Sequence, residues 1–229
     1  MANHPAAQPH GAIEELFPDV FVVRGSYRAG VGARFDRNMA VVRRGGELAI
    51  VNSVRLSGDG EATLGRLGTV KHVIRLGAFH GIDDPYYVER FGAMLWGPPG
   101  MSHKVPAREL TATDRPLDAE VFRFERGQLA EGALVVPVAG GVLVTCDSFQ
   151  NWTTYEHCSW LVRQIAPRMG FGPAVIGGPW LKKQGGQVMR DDFARLVELP
   201  FAHAIPGHGT PVRDDAKAKV RDAMRAKFS

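Results

Sequence analysis

The sequence predicts a layered α/β fold. Apolar, β-branched runs that are typical of buried strands alternate along the chain with short segments of helical spacing. Polar residues that can bind ligands come directly after several of these runs, where an α/β fold places its binding groups. The clearest case is Arg75–Pro85, which follows the predicted strand Val70–Ile74 and precedes a predicted helix over Tyr86–Phe91. We expect the rest of the chain to be organised around this strand-to-helix turn.

The first half of the chain is predicted to open with an antiparallel meander. Its three strands are predicted at Val20–Gly25, Asn38–Arg43 and Leu48–Asn52. A Gly-rich turn over residues 25–32 joins the first two, and a hairpin turn over residues 44–47 joins the last two. Leucines at helical spacing then predict a helix at Glu61–Leu67.

The second half continues with alternating elements. Further strands are predicted at Ala93–Trp96, Val121–Phe124, Ala133–Val138, Val142–Thr145 and Phe201–Ile205. Helices are predicted from near Tyr155, over Asp191–Val197 and at the C-terminus, whereas the Gly/Pro-rich stretch 171–183 permits no assignment. Since no internal segment has the composition of a linker, we predict a single domain over residues 12–229 after a flexible N-terminal tail of residues 1–11.

Composition narrows the function classes. The 229 residues are 45% apolar and 23% charged, with a formal net charge of +4. Acidic and basic residues are interspersed, and the basic residues near the C-terminus suit the solvated face of a helix, so we expect no nucleic-acid partner. No apolar segment is long enough to span a membrane, and the start lacks a signal pattern. Two cysteines, Cys146 and Cys158, indicate reduced thiols rather than a disulfide framework. We therefore predict a cytoplasmic protein acting on a small molecule, and leave a homodimer open.

Three strand ends carry candidate metal ligands. They are His80 with Asp84, then Asp147, then His208, each beside Gly or Pro. Imidazole and carboxylate groups from separate turns can close around one divalent cation. We predict that these four residues converge on a common point.

Each candidate has a purely structural alternative. Asp83 or Asp84 can cap the following helix, and Asp147 can cap the segment after its turn. His72 and His203 lie within apolar strands, which favours histidines satisfied in the core over ligands. Cys146 beside Asp147 can be a ligand, although a small buried residue at a strand end is the favoured interpretation.

These stretches resemble the motifs of the metallo-β-lactamase superfamily. Residues 79–85 resemble its second motif, Thr-His-x-His-x-Asp-His, and residues 142–147 resemble the strand that ends in Gly-Asp. Residues 204–209 are similar to the late strand that leads to Gly-His-Gly, which is the most specific match. The resemblance spans nearly the whole chain. It implies a four-layer αβ/βα sandwich with the site at one edge of the two sheets.

The departures from the family pattern concern its ligands. Ile82 and Pro85 replace two histidines of the second motif, and Asn52 stands where the early strand usually ends in Asp. No histidine occurs between positions 103 and 157, so the third-motif ligand is missing. Of the first metal's three histidines the resemblance leaves only His80, whereas Asp84, Asp147 and His208 retain three of the second metal's four ligands. The resemblance therefore implies one divalent ion (zinc, iron or manganese), with His80 as a further ligand, a neighbour or a proton carrier.

The predicted function is a metal-dependent hydrolase with a mononuclear site. Asp84 would hold the attacking water and accept its proton, and the substrate would be an ester, thioester, lactone, amide or phosphoester. The alternative is a catalytically inactive descendant of the fold that binds a small molecule without metal. Tryptophans and tyrosines would line its pocket in that case, namely Trp96, Trp152, Trp160, Trp180, Tyr86 and Tyr87.

Overall fold

A seven-stranded sheet holds the first half of the protein. The computed structural model describes residues 4–229. The strands follow one another in the sheet as in the chain: β1 (Ile13–Phe17), β2 (Val20–Gly30), β3 (Ala33–Arg44), β4 (Glu47–Val51), β5 (Thr69–Ile74), β6 (Met94–Gly97) and β7 (Ala107–Glu109). Pairing is antiparallel from β1 to β4 and parallel from β4 to β7. Parallel neighbours need a crossover, which helices α1 (Gly58–Leu67) and α2 (Asp84–Phe91) provide on either side of β5.

A second sheet of four strands faces the first. It consists of β8 (Glu120–Arg123), β9 (Gly132–Val136), β10 (Val142–Val144) and β13 (His203–Ile205), in the order β13-β10-β9-β8. A two-stranded ribbon, β11 (Phe149–Gln150) with β12 (Val175–Ile176), lies between β10 and β13 in the chain. The remaining helices are α3 (Trp160–Ile165), α4 (Gly178–Lys183), α5 (Arg190–Leu196) and α6 (Ala216–Phe228).

Successive side chains of a strand point to opposite faces of its sheet, so each sheet packs against a different layer on each face. Val20 and Val22 of β2 point towards the second sheet, where they share an apolar cluster with Val142 and Val144 of β10. The intervening Phe21 and Val23 face the opposite way, into a cluster with helices α1 and α2. The far face of the second sheet packs in the same manner against α4, α5 and α6. Helices, sheet, sheet and helices therefore form four layers, and the predicted αβ/βα sandwich is confirmed.

The Gly-rich stretch between the first two predicted strands is mostly strand, not turn. β2 continues to Gly30 and β3 begins at Ala33, so the turn itself is short. Tyr27 and Phe35 face each other across this hairpin and stack at 5.9 Å. Cross-strand aromatic pairs stabilise a sheet, and this pair offsets the weak strand preference of the neighbouring glycines.

Several other short elements escaped sequence prediction. β1 reads IEELF, and its adjacent glutamates hide the alternation that marks a strand. The unassigned stretch 171–183 contains β12 and α4, both too short for a clear periodic pattern.

The N-terminal segment runs along the body of the domain. In the part that the structure describes, the Gly11 amide donates to the Arg24 carbonyl, and the Ser26 hydroxyl donates to the Pro9 carbonyl. The Ser57 amide donates to the ring of His10. Residues 1–3 of the predicted tail lie outside the described residues, and the tail's flexibility stays a prediction.

Among residues 4–229, no helix is both long enough and apolar enough to cross a bilayer.

Candidate metal centre

The site forms where three strand ends meet. β10 and β13 are parallel neighbours, so Asp147 after β10 and His208 after β13 leave the second sheet on the same edge. His80 comes from the turn after β5 in the first sheet. Its backbone amide donates to the Gly77 carbonyl, which folds the turn back over the sheet edge.

Asn52 ties the two sheets together beside this edge. It follows β4 with φ of 55°, in the left-handed region that Asn tolerates better than most residues. Its amide nitrogen donates to the Thr145 carbonyl of the second sheet at 3.0 Å, and its amide oxygen accepts from the Leu76 amide of the first at 3.2 Å. An aspartate could not make the first bond, because a carboxylate has no proton to donate. The departure from the family pattern at this position therefore has a structural reason.

Three of the four predicted ligands come together in the structure. The Nε2 atoms of His80 and His208 are 3.2 Å apart, and Asp147 Oδ1 is 3.0 Å from the His208 Nε2 atom. Asp147 Oδ2 lies 3.6 Å from the His80 Nε2 atom. All three residues are buried. Two imidazole nitrogens and a carboxylate thus face one small volume.

The loop around His208 is held by close backbone contacts. The Asn38 side chain donates to the carbonyls of Pro206 and Gly209, at 2.8 and 2.7 Å. A Cβ at Gly209 would lie 2.1 Å from the Asn151 carbonyl oxygen, and the glycine has φ of 83°. Only glycine fits such a position, which explains the second Gly of the Gly-His-Gly stretch.

The orientation of the His208 ring determines which nitrogen faces the site. Its Nδ1 atom is 2.6 Å from the backbone carbonyl oxygen of Asp36, so Nδ1 carries the proton and donates it. In the neutral ring, the Nε2 lone pair then points at His80 and Asp147. Trp152 stacks on the ring at 5.4 Å with an angle of 13° between the planes. A metal-binding histidine commonly has such a carbonyl partner on its other nitrogen.

Burial sets the charges at the centre. It lowers the pKa of His80 to about 3, so this ring is neutral at pH 7. Burial opposes the charge on Asp147, but interactions with the protonated forms of His80 and His208 outweigh it and lower the pKa of Asp147 to about 2. Asp147 is therefore an anion facing the nitrogens of two rings.

The arrangement fits a divalent cation. A carboxylate oxygen and an imidazole lone pair repel each other at 3.0 Å unless a proton or a cation lies between them. Two nitrogens bound to a tetrahedral zinc ion at about 2.0–2.1 Å would lie about 3.3 Å apart, close to the spacing of the two histidines.

Cys146 offers a further donor. Its sulfur is 3.5 Å from Asp147 Oδ2, and one ligand atom each of His80, Cys146 and Asp147 lie within 4.8 Å of one another. Burial, together with the negative charge of Asp147, raises the pKa of the thiol well above its ordinary value. A thiol so placed would ligate only when a cation replaces its proton.

Asp84 makes a different contact. Its Oδ1 accepts from the Ser53 hydroxyl at 2.6 Å, and its buried Oδ2 has no hydrogen-bond partner among the described residues. Burial raises the pKa of this carboxyl group. No described contact joins it to His80, Asp147 or His208, and its predicted roles as ligand and catalytic residue stay predictions.

The neighbouring Asp83 is held by a buried arginine. Its carboxylate pairs with Arg37 of β3 and accepts from the Arg55 amide at 2.9 Å, and it makes no capping bond to helix α2. Arg37 is a residue that sequence reasoning missed, because its strand offers no sign that a charged side chain turns inward.

Glu131 is a second missed residue. It is buried at the start of β9, and its Oε1 accepts from the amides of Asp147 and Ser148, at 3.2 and 3.3 Å. Burial, then the charge of Asp147, raises its pKa well above 4.5, which favours the protonated form of the group. These two hydrogen bonds hold the backbone of Asp147, a predicted ligand, in place.

The histidines predicted for the core do lie in structural positions. His203 is buried, with Nε2 2.7 Å from the Ala139 carbonyl oxygen and Nδ1 accepting from the Asp214 amide. His72 is half-buried and accepts from the Trp96 indole N–H at 3.2 Å. Neither ring has a described contact with His80, Asp147 or His208.

An aromatic pocket opens over the centre. It has a volume of about 400 Å³, and Asp147 and His208 form part of its lining. Its apolar walls are built by Tyr27, Phe35, Phe79, Trp152, Met169, Phe171 and Trp180. Of the six aromatic residues considered from the sequence, only Trp152 and Trp180 contribute, since Trp96 and Tyr87 are buried in the core and Trp160 is exposed.

Comparisons with known proteins identify the fold. No protein-family model matches the chain, and no curated protein is significantly similar to it. Solved structures match over nearly the whole length: VMB-1 has a TM-score of 0.71 at 11% identity, covering 98% of this chain and 100% of its own. The DIM-1 metallo-β-lactamase has a TM-score of 0.63 at 13% identity, with 96% and 99% covered. FIM-1 of Pseudomonas aeruginosa, solved in a mono-zinc form, has a TM-score of 0.61 at 11% identity, with 98% and 99% covered.

The protein therefore has the metallo-β-lactamase fold, as its motifs predicted. The low identities agree with a divergent sequence. The likeness establishes the architecture, whereas the chemistry has to be argued from this chain's own side chains.

Proposed function

We propose that this protein is a metal-dependent hydrolase with one divalent cation. The observation that carries the proposal is the meeting of His80, Asp147 and His208, because an anion and an oriented lone pair share one buried volume. Two hydrogen bonds support it, because each fixes a donor residue in position. The Asp36 carbonyl accepts from the His208 ring, and Glu131 accepts from the Asp147 amide. The mono-zinc form of one structural neighbour shows that this fold accommodates a single metal in that protein.

The cation would be held by His80, Asp147 and His208, with Cys146 as a neighbouring further donor and Asp84 as the ligand predicted from the motif. When bound, it would polarise the scissile carbonyl or phosphoryl group and make water acidic enough to act near neutral pH. A thiolate donor would favour zinc, whereas Asp84 would favour iron or manganese as well.

The chain's own side chains supply the rest of the chemistry. Trp152 covers one face of His208 and keeps water from that side of the ring. Asp84 is the proposed proton acceptor, because its Oδ2 lacks a partner and burial raises its pKa above that of a solvated carboxylate. The substrate would be an ester, thioester, lactone, amide or phosphoester that reaches the centre through the aromatic pocket.

Metal analysis of protein purified without chelator tests the proposal. We expect about one equivalent of zinc, iron or manganese, and its loss in Asp147→Ala and His208→Ala. His72→Gln is the matched control, because it removes a histidine outside the centre and keeps a hydrogen-bond acceptor for Trp96. Wild-type protein without metal, after supplementation with each of the three ions, would contradict the proposal.

The second candidate function is small-molecule binding without catalysis. The aromatic pocket favours it, since apolar walls with few polar groups are typical of ligand sites. A protein that takes up no metal and yet binds ligands in this pocket would support this alternative.

A further inference from the structure

One side of the aromatic pocket is formed by a basic stretch of the chain, which contributes Met169, Phe171, Pro179, Trp180 and Lys183 to its lining. Residues 157–190 contain no Asp or Glu. Their five lysines and arginines are all exposed: Arg163, Arg168, Lys182, Lys183 and Arg190. Within residues 4–229, none of the five forms an ion pair with a carboxylate. This uncompensated positive charge contrasts with the interspersed charges elsewhere in the protein.

Of these five basic residues, Lys183 lines the pocket. It ends helix α4, and it is the only lysine or arginine among the described residues that line the pocket. An anionic group that enters the pocket is therefore attracted by Lys183 at its rim.

The pocket mouth is apolar as well as basic. Met169 and Phe79 line the pocket and are 55% and 54% exposed. Leu161 and Ile165, about two turns and one turn before Met169, are exposed too and extend the apolar surface along α3. A ligand that enters here meets apolar side chains along its length and a cation beside them.

We propose that the substrate is an anionic amphiphile. Its apolar part would lie against the aromatic walls, its acidic group would pair with Lys183, and its hydrolysable bond would lie between them, over His208 and Asp147. This proposal rests on the hydrolase function and narrows the substrate to an acyl ester or thioester that carries a phosphate, sulfate or carboxylate group. The pocket volume of about 400 Å³ accommodates one small ligand of this kind.

Binding of inert charged probes tests the substrate class without turnover. Octyl sulfate and octyltrimethylammonium have the same chain and opposite charge, and both are used far below micelle-forming concentration. Fluorescence of Trp152 and Trp180, which line the pocket, reports binding. We expect octyl sulfate to bind about tenfold more tightly than the cation, and the preference to shrink as salt is raised to about 1 M, where screening acts within about 3 Å.

Two pairs of variants localise the effect. Lys183→Ala should weaken octyl sulfate binding about five- to tenfold and leave octyltrimethylammonium unchanged or tighter, whereas Lys182→Ala, next to it but outside the lining, should change neither. Met169→Ser should weaken both probes equally. Val188→Ser is its control, because Val188 is 51% exposed and does not line the pocket.

The outcomes separate this inference from the hydrolase proposal. Equal binding of both probes, or equal loss in the two lysine variants, would overturn the substrate class even if the protein contains a metal. Binding of octyl sulfate that depends on Lys183 would support the amphiphile site even in protein that holds no metal. Binding to anionic vesicles that both lysine variants weaken alike would point to a general surface attraction and overturn the pocket assignment.

Discussion

The Nε2 atoms of His80 and His208 lie 3.2 Å apart, although 128 positions separate the two residues in the chain. One comes from the turn after β5 in the first sheet and the other from the loop after β13 in the second. The contact therefore spans the two halves of the sandwich. A cation bound there would cross-link the sheets as well as support chemistry, which leads to the first prediction.

Removing a bound cation should destabilise the fold. A ligand that binds only the folded state at about 100 times its Kd contributes roughly 2.7 kcal/mol, and for a domain of this size we expect a chelator to lower the Tm by roughly 5–10 °C. Thermal unfolding monitored by circular dichroism measures this shift. His80→Ala should lose most of the response, and His72→Gln should keep it. An equal response of wild type and His80→Ala would exclude His80 as a ligand.

Restoring the family's residue at position 52 should weaken this protein. Asn52→Asp keeps the acceptor for the Leu76 amide but sets a carboxylate against the Thr145 carbonyl oxygen, where the Asn amide donates. We expect a loss of about 1–3 kcal/mol in the free energy of unfolding, measured in urea. If the variant is as stable as the wild type, a proton or a cation must lie between the new carboxylate and the Thr145 carbonyl oxygen.

Gly209 should tolerate no side chain. Gly209→Ala places a Cβ 2.1 Å from the Asn151 carbonyl oxygen, so the loop that carries His208 must move. Gly170→Ala is the matched control, because Gly170 has a φ of 81°, close to the 83° of Gly209, and no atom within 4 Å of the added carbon. We expect the control to lose about 1–2 kcal/mol from backbone strain alone and to keep its metal content. Gly209→Ala should lose more stability and most of the metal, and similar behaviour of the two variants would refute the steric explanation.

The buried Glu131 predicts a dependence of stability on pH. Its folded-state pKa is raised well above 4.5, so the folded protein keeps the proton while the unfolded chain releases it as the pH rises past that value. The stability contributed by the protonated group is complete below about pH 4.5 and is lost as the pH rises towards the folded-state pKa.

Glu131→Gln retains an oxygen that can accept from the amides of Asp147 and Ser148, and it cannot ionise. In chelator-treated protein, we expect the variant to gain stability relative to wild type as the pH rises above about 4.5, measured by urea unfolding at each pH. A difference that does not change with pH would show that Glu131 has an ordinary pKa.

Much of the architecture could be predicted from local pattern. Runs such as Val70–Ile74 and Val142–Val144 are apolar enough to indicate buried strands, and Gly-His-Gly around His208 marks a turn that only a special backbone can form. Strand and helix periodicity depend on residues close in sequence, so these features predicted a layered α/β fold, and the four layers were implied by the resemblance of the motifs to the metallo-β-lactamase superfamily. β1 was missed, since its two glutamates break the alternation.

The sequence by itself determined the strand ends that carry His80, Asp147 and His208, because the chemistry of those residues and the glycines beside them are local facts. Only the tertiary structure decided which of them meet, since β10 and β13 become neighbours through pairing between distant segments. The same holds for Glu131 behind Asp147, for Arg37 beside Asp83 and for the bond of Asp84 to Ser53. The orientation of a buried polar side chain depends on partners far away in the chain, and no local pattern records them.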